Sequence, residues 1–449
     1  MIKYGCYKII GGVILGNFKK RVVIFLFVFI FLFTSVAPSI VGAEANLTIN
    51  AKSAILVDAI SGKILYSQNP DLALPPASMT KMMTEYLILE AVDEGKLNWD
   101  DVVTASDYAH WMGVNGGSRV FLALGEKRTV KELMYALTVY SANDASVALA
   151  EHLAGSETNF AGLMNEKAKE FGMDQSHFAT STGFPKDELG QYSPNIEGDT
   201  VMSARDSAIL AWHLINDYPE SLEFNSTPRI KFREGEANEM DLPNFNFMLP
   251  GLVYGNLVQG MDGMKTGHTT QAGYNFTGTA EQRGMRLITV VQGTNSVEER
   301  FMETKKLMDY GFSNFEVIDL IKGKEQIPGF EKIAVEKGKE KEVGALTASN
   351  VSVMIKRGEK ELYQPKVVLN EKIVAPIKNQ DILGKVTVEY TGKEQYDYLN
   401  EKIKSLSEVT IIAQEDVEKA GFIRLFFRQL FSVIGGIFGG IADSIKGIF

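Results

Sequence analysis

The sequence predicts an α+β fold: helices packed on an antiparallel sheet, then a small all-β domain, then a C-terminal amphipathic helix. Three observations predict it. Strand-like runs at 53–67 and 274–292 enclose a long block of helical periodicity, the order expected when helices gather on one sheet. Short alternating runs with Lys/Glu-rich turns fill 317–412, as in a small β-domain. The last stretch, 418–449, repeats bulky apolar residues at three- and four-residue steps, the spacing of one helical face.

The elements follow in order. Residues 1–43 read as an export signal: Lys19-Lys20-Arg21, an apolar run from Val22 to Phe33, and small residues at Val41-Gly42-Ala43, with cleavage predicted after Ala43. The alternative is an uncleaved anchor. The apolar core is short for a spanning helix and Pro38 lies near its end. Cys6 is the only cysteine, so the mature chain has neither disulfide nor thiol chemistry. A hairpin is predicted at 53–58 and 63–67 around Ile60-Ser61-Gly62, and Pro75-Pro76-Ala77 then leads into a helix carrying Ser78. Residues 129–154 read as largely helical, as do 160–171 and 204–215. Strands return after Lys265, a helix covers roughly 297–310, and the pattern changes near 312–315. The formal net charge is −10 over 449 residues, which argues against nucleic acid as a partner.

Three short segments carry chemistry. Ser78-Met79-Thr80-Lys81 places a hydroxyl and an amine one helical turn apart. A lysine whose proton affinity is lowered by burial or by a second cation can deprotonate that serine near neutral pH. Ser141-Ala142-Asn143 adds a hydroxyl and an amide. Lys265-Thr266-Gly267 adds a second ammonium, a hydroxyl and a glycine where backbone must come close. Together they suit acyl transfer through a serine ester. The five histidines (110, 152, 177, 213, 268) form no H-x-x-x-H pair, so no catalytic zinc is expected, and the chemistry calls for no cofactor. The glycine-rich segment 113–125 lacks the phosphate-binding form and reads as a loop beside the site.

The chain resembles the serine-type D-alanyl-D-alanine carboxypeptidases, the low-molecular-mass penicillin-binding proteins. The matching stretches are PPASMTKMMT (75–84), YSANDAS (140–146), MSARD (202–206) and DGMKTGHTTQAGYNFTGTA (262–280). The resemblance implies a catalytic domain over 44–315, related in fold to the β-lactamases, and a β-rich spacer domain over 317–412. It implies Ser78 as nucleophile toward the penultimate D-alanine carbonyl of peptidoglycan stem peptides, Lys81 as base, Lys265 as the cation that lowers its proton affinity, and Ser141 as a proton relay. Asn143 would hold the substrate's backbone amide and orient Lys81. Thr266 and Arg205 are candidates for the substrate carboxylate, although an ion pair between Arg205 and Asp206 or another acid is the plainer reading without the family. The N–H groups of Ser78 and His268, the latter next to Gly267, would form the oxyanion hole. β-Lactam antibiotics are expected as covalent inhibitors. The tail would lie in a membrane interface, holding an exported enzyme at the outer face of the cytoplasmic membrane. A β-lactamase, a transpeptidase or endopeptidase, and a catalytically silent wall-binding protein stay open as alternatives. Between carboxypeptidase and endopeptidase only the resemblance chooses.

Overall fold

The structure, a computed structural model, describes residues 47–406 and 408–428. The expected export signal and the tail beyond 428 lie outside the described residues. Strands β1 (Ser53–Asp58) and β2 (Ile64–Gln68) form the predicted hairpin. Asp58 shapes its turn, accepting the N–H groups of Ile60 and Ser61, both at 3.2 Å. A helical block follows: α1 (Lys81–Asp93), α2 (Asp107–Asn115), α3 (Val130–Val139), α4 (Asn143–Ala154), α5 (Glu157–Phe171), α6 (Ala204–Asp217) and the short α7 (Ser221–Asn225). Two ribbons decorate it, β3 (Val102–Thr104) with β4 (Lys127–Thr129) and β5 (Arg229–Phe232) with β6 (Met240–Pro243). The chain re-enters the sheet as β7 (Met261–Thr269), β8 (Gly273–Gln282) and β9 (Met285–Thr294), and α8 (Val297–Asn314) completes the unit.

The antiparallel sheet runs β2-β1-β9-β8-β7 and leaves β7 at one edge. Arg283 and Gly284, with φ of +52° and +74°, make the two-residue turn whose twist suits an antiparallel pair. α1 is buried on every side, including Met82, Met83, Leu87, Ile88 and Leu89, as a helix apolar all round must be. Serine hydroxyls at 156, 203 and 296 cap the N-termini of α5, α6 and α8.

The second domain contains β10 (Phe315–Ile321), β11 (Lys332–Ala334), β12 (Glu342–Thr347), β13 (Val351–Lys356), β14 (Tyr363–Leu369), β15 (Ile382–Tyr390), α9 (Glu401–Leu406) and β16 (Val409–Ala413). Its main sheet is ordered β11-β12-β16-β15-β14, with β10 paired to β13. Ile333, Val343, Val386 and Ile411 anchor its separate core. The described start of the tail, 422–428, is helical. Phe422 and Ile423 are 84% and 72% exposed there. No described helix is long and apolar enough to cross a membrane.

The structure adds detail to two expectations. Residues 129–154 form two helices, broken at 140–142 where Ser141 has φ +58°. The segment that leads into α9 is also more than part of a spacer. Leu399 and Ile403 belong to the first domain's buried core, and the Leu399 N–H donates to Gly62 O at 2.9 Å. A Cβ on Gly62 would lie 2.5 Å from the Ile403 side chain, so only glycine lets this strap seat on the hairpin turn.

Candidate active site

Ser78 sits in a 3₁₀ turn, Ala77–Thr80, and Lys81 is the first residue of α1. The sequence reading put both on one α-helix; the 3₁₀ turn instead eclipses positions three apart, which lines the two side chains up along the turn axis. Ala77 has φ +49°, an unfavourable conformation for a residue with a Cβ. Gly183 holds it from behind, since a Cβ there would meet Ala77 O at 2.0 Å. Lys81 Nζ donates to Ser78 Oγ at 3.1 Å, Asn143 Oδ1 at 2.5 Å and Thr182 O at 3.0 Å. Lys81 is completely buried and these partners are all uncharged. Burial first, and then the charge of Lys265, push its pKa well below the ordinary lysine value.

The break between α3 and α4 delivers the second segment. The Ser141 hydroxyl is buried and has no hydrogen-bond partner among the described residues, so it is free for a bound group. Asn143 opens α4 and spans the cleft wall, accepting from Lys81 and donating to Gly116 O at 2.5 Å. One hydrogen of its amide remains uncommitted. Asp144, which sequence reasoning passed over, is buried and accepts the N–H groups of Val120 and Leu122. It thereby ties the glycine-rich loop to the start of α4.

The third segment lies on edge strand β7, where side chains alternate. Lys265 is buried, and burial followed by the nearby Arg300 charge lowers its pKa to about 7. Glu85 lies behind it, bonded to Asn225 Nδ2 at 2.6 Å and raised by burial to about 8. Gly267 is sterically required: a Cβ would lie 2.2 Å from Pro76 O and 3.1 Å from Met79 N. Thr266 and His268 border the cleft, and the His268 ring stacks on Tyr274 at 4.0 Å. Partial burial and then Arg300 lower the His268 pKa.

The cleft thus brings together Ser78, Ser141, Asn143, Thr266, Gly267 and His268, with Lys81 and Lys265 at its base. Arg205 is the exception. Its guanidinium pairs with Asp71 and Asp397 and donates to Tyr398 O at 2.9 Å, and it does not line the cleft. Asp206 is engaged elsewhere, with Gln175 N and Ser176 Oγ. Arg205 therefore fastens the strap of the second domain, and the assignment to the substrate carboxylate is withdrawn. The cation at the cleft is Arg300 on α8, largely buried, with no hydrogen-bond partner for its Nε among the described residues. Its signal in the sequence was an arginine at 300 in phase with 304, 307, 308 and 311, on the buried face of an amphipathic helix.

Known proteins share this arrangement of domains. A family profile described as D-alanyl-D-alanine carboxypeptidase matches residues 40–296, and one described as Penicillin-binding protein 5, C-terminal domain, matches 315–419. The chain is 36% identical over 387 residues to the D-alanyl-D-alanine carboxypeptidase DacF of Bacillus subtilis, covering 86% of this chain and 90% of the relative. Identity to the D-alanyl-D-alanine carboxypeptidase DacC of Escherichia coli is 35%, again over 86% and 90%. Among solved structures, penicillin-binding protein 5 of Haemophilus influenzae superposes with a TM-score of 0.66 at 32% identity, over 83% of this chain and 98% of that one. The peptidoglycan synthesis regulatory factor PBP3 of Streptococcus pneumoniae gives 0.71 at 32%, over 82% and 99%.

Proposed function

Because the chain belongs to the D-alanyl-D-alanine carboxypeptidase family, we propose that Ser78 is the nucleophile with which it removes the terminal D-alanine of peptidoglycan stems. The protein is a serine-type D-alanyl-D-alanine carboxypeptidase and a penicillin-binding protein. The observation that carries the residue assignment is Lys81: a wholly buried amine 3.1 Å from Ser78 Oγ with only uncharged partners. Such an amine is readily neutral, and neutral it takes the serine proton. Ser78 Oγ attacks the penultimate D-alanine carbonyl, the scissile C–N bond breaks, and the leaving amine receives a proton through Ser141. Water then hydrolyses the ester along the same relay. The Ser78 and His268 N–H groups stabilise the oxyanion, and Asn143 orients both Lys81 and the substrate amide.

Arg300 and Thr266 receive the terminal carboxylate. A guanidinium already stripped of most of its water binds that anion strongly. No carboxylate lines the described cleft, so a penicilloyl ester on Ser78 has no carboxylate base beside it to activate water. That favours a long-lived β-lactam adduct over β-lactamase turnover. The exposed Phe422, Ile423, Phe426 and Phe427 support a tail that lies in a membrane interface at the outer face of the cytoplasmic membrane.

The test uses the chain without residues 1–43 and the tail, a peptide ending in Lys-D-Ala-D-Ala, and an assay of free D-alanine, with Ser78→Ala beside it. The expected result is release that vanishes in the variant and a β-lactam mass adduct on Ser78. Release that persists in Ser78→Ala overturns the nucleophile assignment.

A further inference from the structure

The loop that forms one wall of the cleft continues past it. Gly117 and Ser118 line the cleft. Beyond them, alternate residues are tied down from inside. Ser118 O accepts the Asn143 N–H at 2.7 Å, Asp144 holds the N–H groups of Val120 and Leu122, and His110 Nδ1 lies 2.8 Å from Leu122 O. From the other side Arg233, only 3% exposed, donates to Val120 O and Phe121 O. The Phe121 ring is left outside this clamp, although its carbonyl is held by Arg233, and Arg119 is the neighbouring residue whose backbone the clamp does not bind.

Phe121 has φ +57° and is 55% exposed. A bulky residue in that region is a strained one, and two buried ionic side chains, Asp144 and Arg233, hold it there. Glycine occupies the positive-φ positions 117 and 125 of the same loop, so the loop keeps an aromatic ring where glycine would relieve the strain. Strain maintained by the surrounding structure points toward function. The Arg119 guanidinium lies 5.1 Å from the Phe121 ring centroid. It has no ion pair among the described residues.

We propose that Arg119 and Phe121 form an accessory subsite for the stem on the acyl side of the scissile bond. The guanidinium takes a carboxylate carried by an upstream acidic residue, and the ring covers the adjacent chain. This rests on the carboxypeptidase reading of the cleft. Arg300 is already assigned to the substrate carboxylate, and the proposal gives the other end of the stem to the wall running out from Gly117. The rim is continuous with the cleft, and its uncommitted cation is complementary to an acidic stem.

Three substrates test it with the intact enzyme and its Arg119→Gln and Phe121→Ala variants: a minimal acylated Lys-D-Ala-D-Ala, a stem extended upstream by an acidic residue, and the same stem with that acid amidated. The minimal substrate and the rate of β-lactam acylation stay unchanged, which also reports an intact fold. On the acidic stem, KM rises roughly fivefold in each variant with kcat unchanged, the scale of an exposed ion pair or cation–π contact. Amidation abolishes the Arg119 effect and leaves that of Phe121. An unchanged KM on the acidic stem, or equal losses on all three substrates, overturns the subsite while leaving the carboxypeptidase intact. Absence of D-alanine release by the parent enzyme from any of the three would instead overturn the carboxypeptidase reading beneath it.

Discussion

Lysines are buried at two places, and the partners at each decide what burial accomplishes. In the cleft, Lys81 and Lys265 have no carboxylate within hydrogen-bond reach; their described partners are a hydroxyl, an amide oxygen and backbone carbonyls. Burial and then the Lys265 charge disfavour the Lys81 ammonium, and burial and then Arg300 disfavour that of Lys265, which leaves an amine able to accept a proton. At the domain junction, Lys63 is 2% exposed, but its Nζ donates to Tyr363 Oη at 2.7 Å and lies 3.3 Å from the Tyr396 ring centroid. Asp58, Glu359 and Glu394 support its charge, yet burial still lowers its pKa to about 8. One arrangement prepares a base; the other anchors a domain. The Tyr363 hydroxyl beside Lys63 lies outside the cleft around Ser78, so burial alone is not a sign of catalysis.

Exchanging the two environments gives the largest expected effect. Lys81→Ala removes the base and lowers β-lactam acylation by about 10³-fold or more. Its melting temperature stays near that of the parent, because a buried ammonium leaves with the side chain. Lys63→Ala does the reverse: turnover per folded molecule is kept, while chemical denaturation shows a loss of about 2 kcal/mol as the Tyr363 hydroxyl loses its partner and the cage empties. Stopped-flow acylation and urea titration of both variants check the pair. A Lys63 variant that folds normally and fails to acylate would erase the distinction.

Gly267→Ala comes next. Its Cβ would contact Pro76 O, so β7 must move off the serine turn. A displacement on the ångström scale lowers acylation by about 10²-fold, measured by the same stopped-flow assay. The two arginines then separate cleft from junction. Arg300→Gln raises KM for a peptide with a free terminal carboxylate, reducing kcat/KM roughly 10- to 100-fold. Arg205→Gln leaves KM unchanged and lowers stability by about 1 kcal/mol or less, since Asp71 and Asp397 are exposed. A KM effect from Arg205→Gln would restore it to the carboxylate site.

A further expected effect is one of pH. Lys63 has a folded pKa of about 8 against an ordinary 10.5. Below pH 8 it is charged in both states and the full burial penalty is present. Between 8 and 10.5 the unfolded chain binds more protons than the folded one, so the Lys63 contribution to stability rises with pH. Lys63→Met removes this slope. Urea midpoints of parent and variant should therefore shift in favour of the parent from pH 8 to pH 10; a constant difference would contradict a buried, titrating Lys63.

Much of this was legible in the chain. Ser78 and Lys81 could be paired from residue type and local spacing, while Asn143 and Lys265 were picked out by the resemblance to the carboxypeptidase family. The hairpin at 53–67 and the strands around Arg283-Gly284 followed from alternation and turn residues. Arg205 was misread and Arg300 missed for one reason: an arginine at the start of a helix pairs with whichever acid the fold brings near, and both acids of Arg205 are distant in sequence. Residues 129–154 were read as largely helical, and the break at Ser141 was not located because nothing local in the sequence marks it. The bonds that make the corner, Asn143 to Lys81 and to Gly116, are long-range.

The sequence by itself offered the candidate groups for the chemistry, the order of the secondary-structure elements, and a glycine at 267 where backbone must come close. These depend on side-chain chemistry, short-range periodicity and the space one Cβ occupies. Only the tertiary structure decided which partners each buried lysine has, which arginine lines the cleft, and that Leu399 and Ile403 complete the first domain's core. Those outcomes depend on desolvation and on partners hundreds of residues away, and neither exists until the chain has folded.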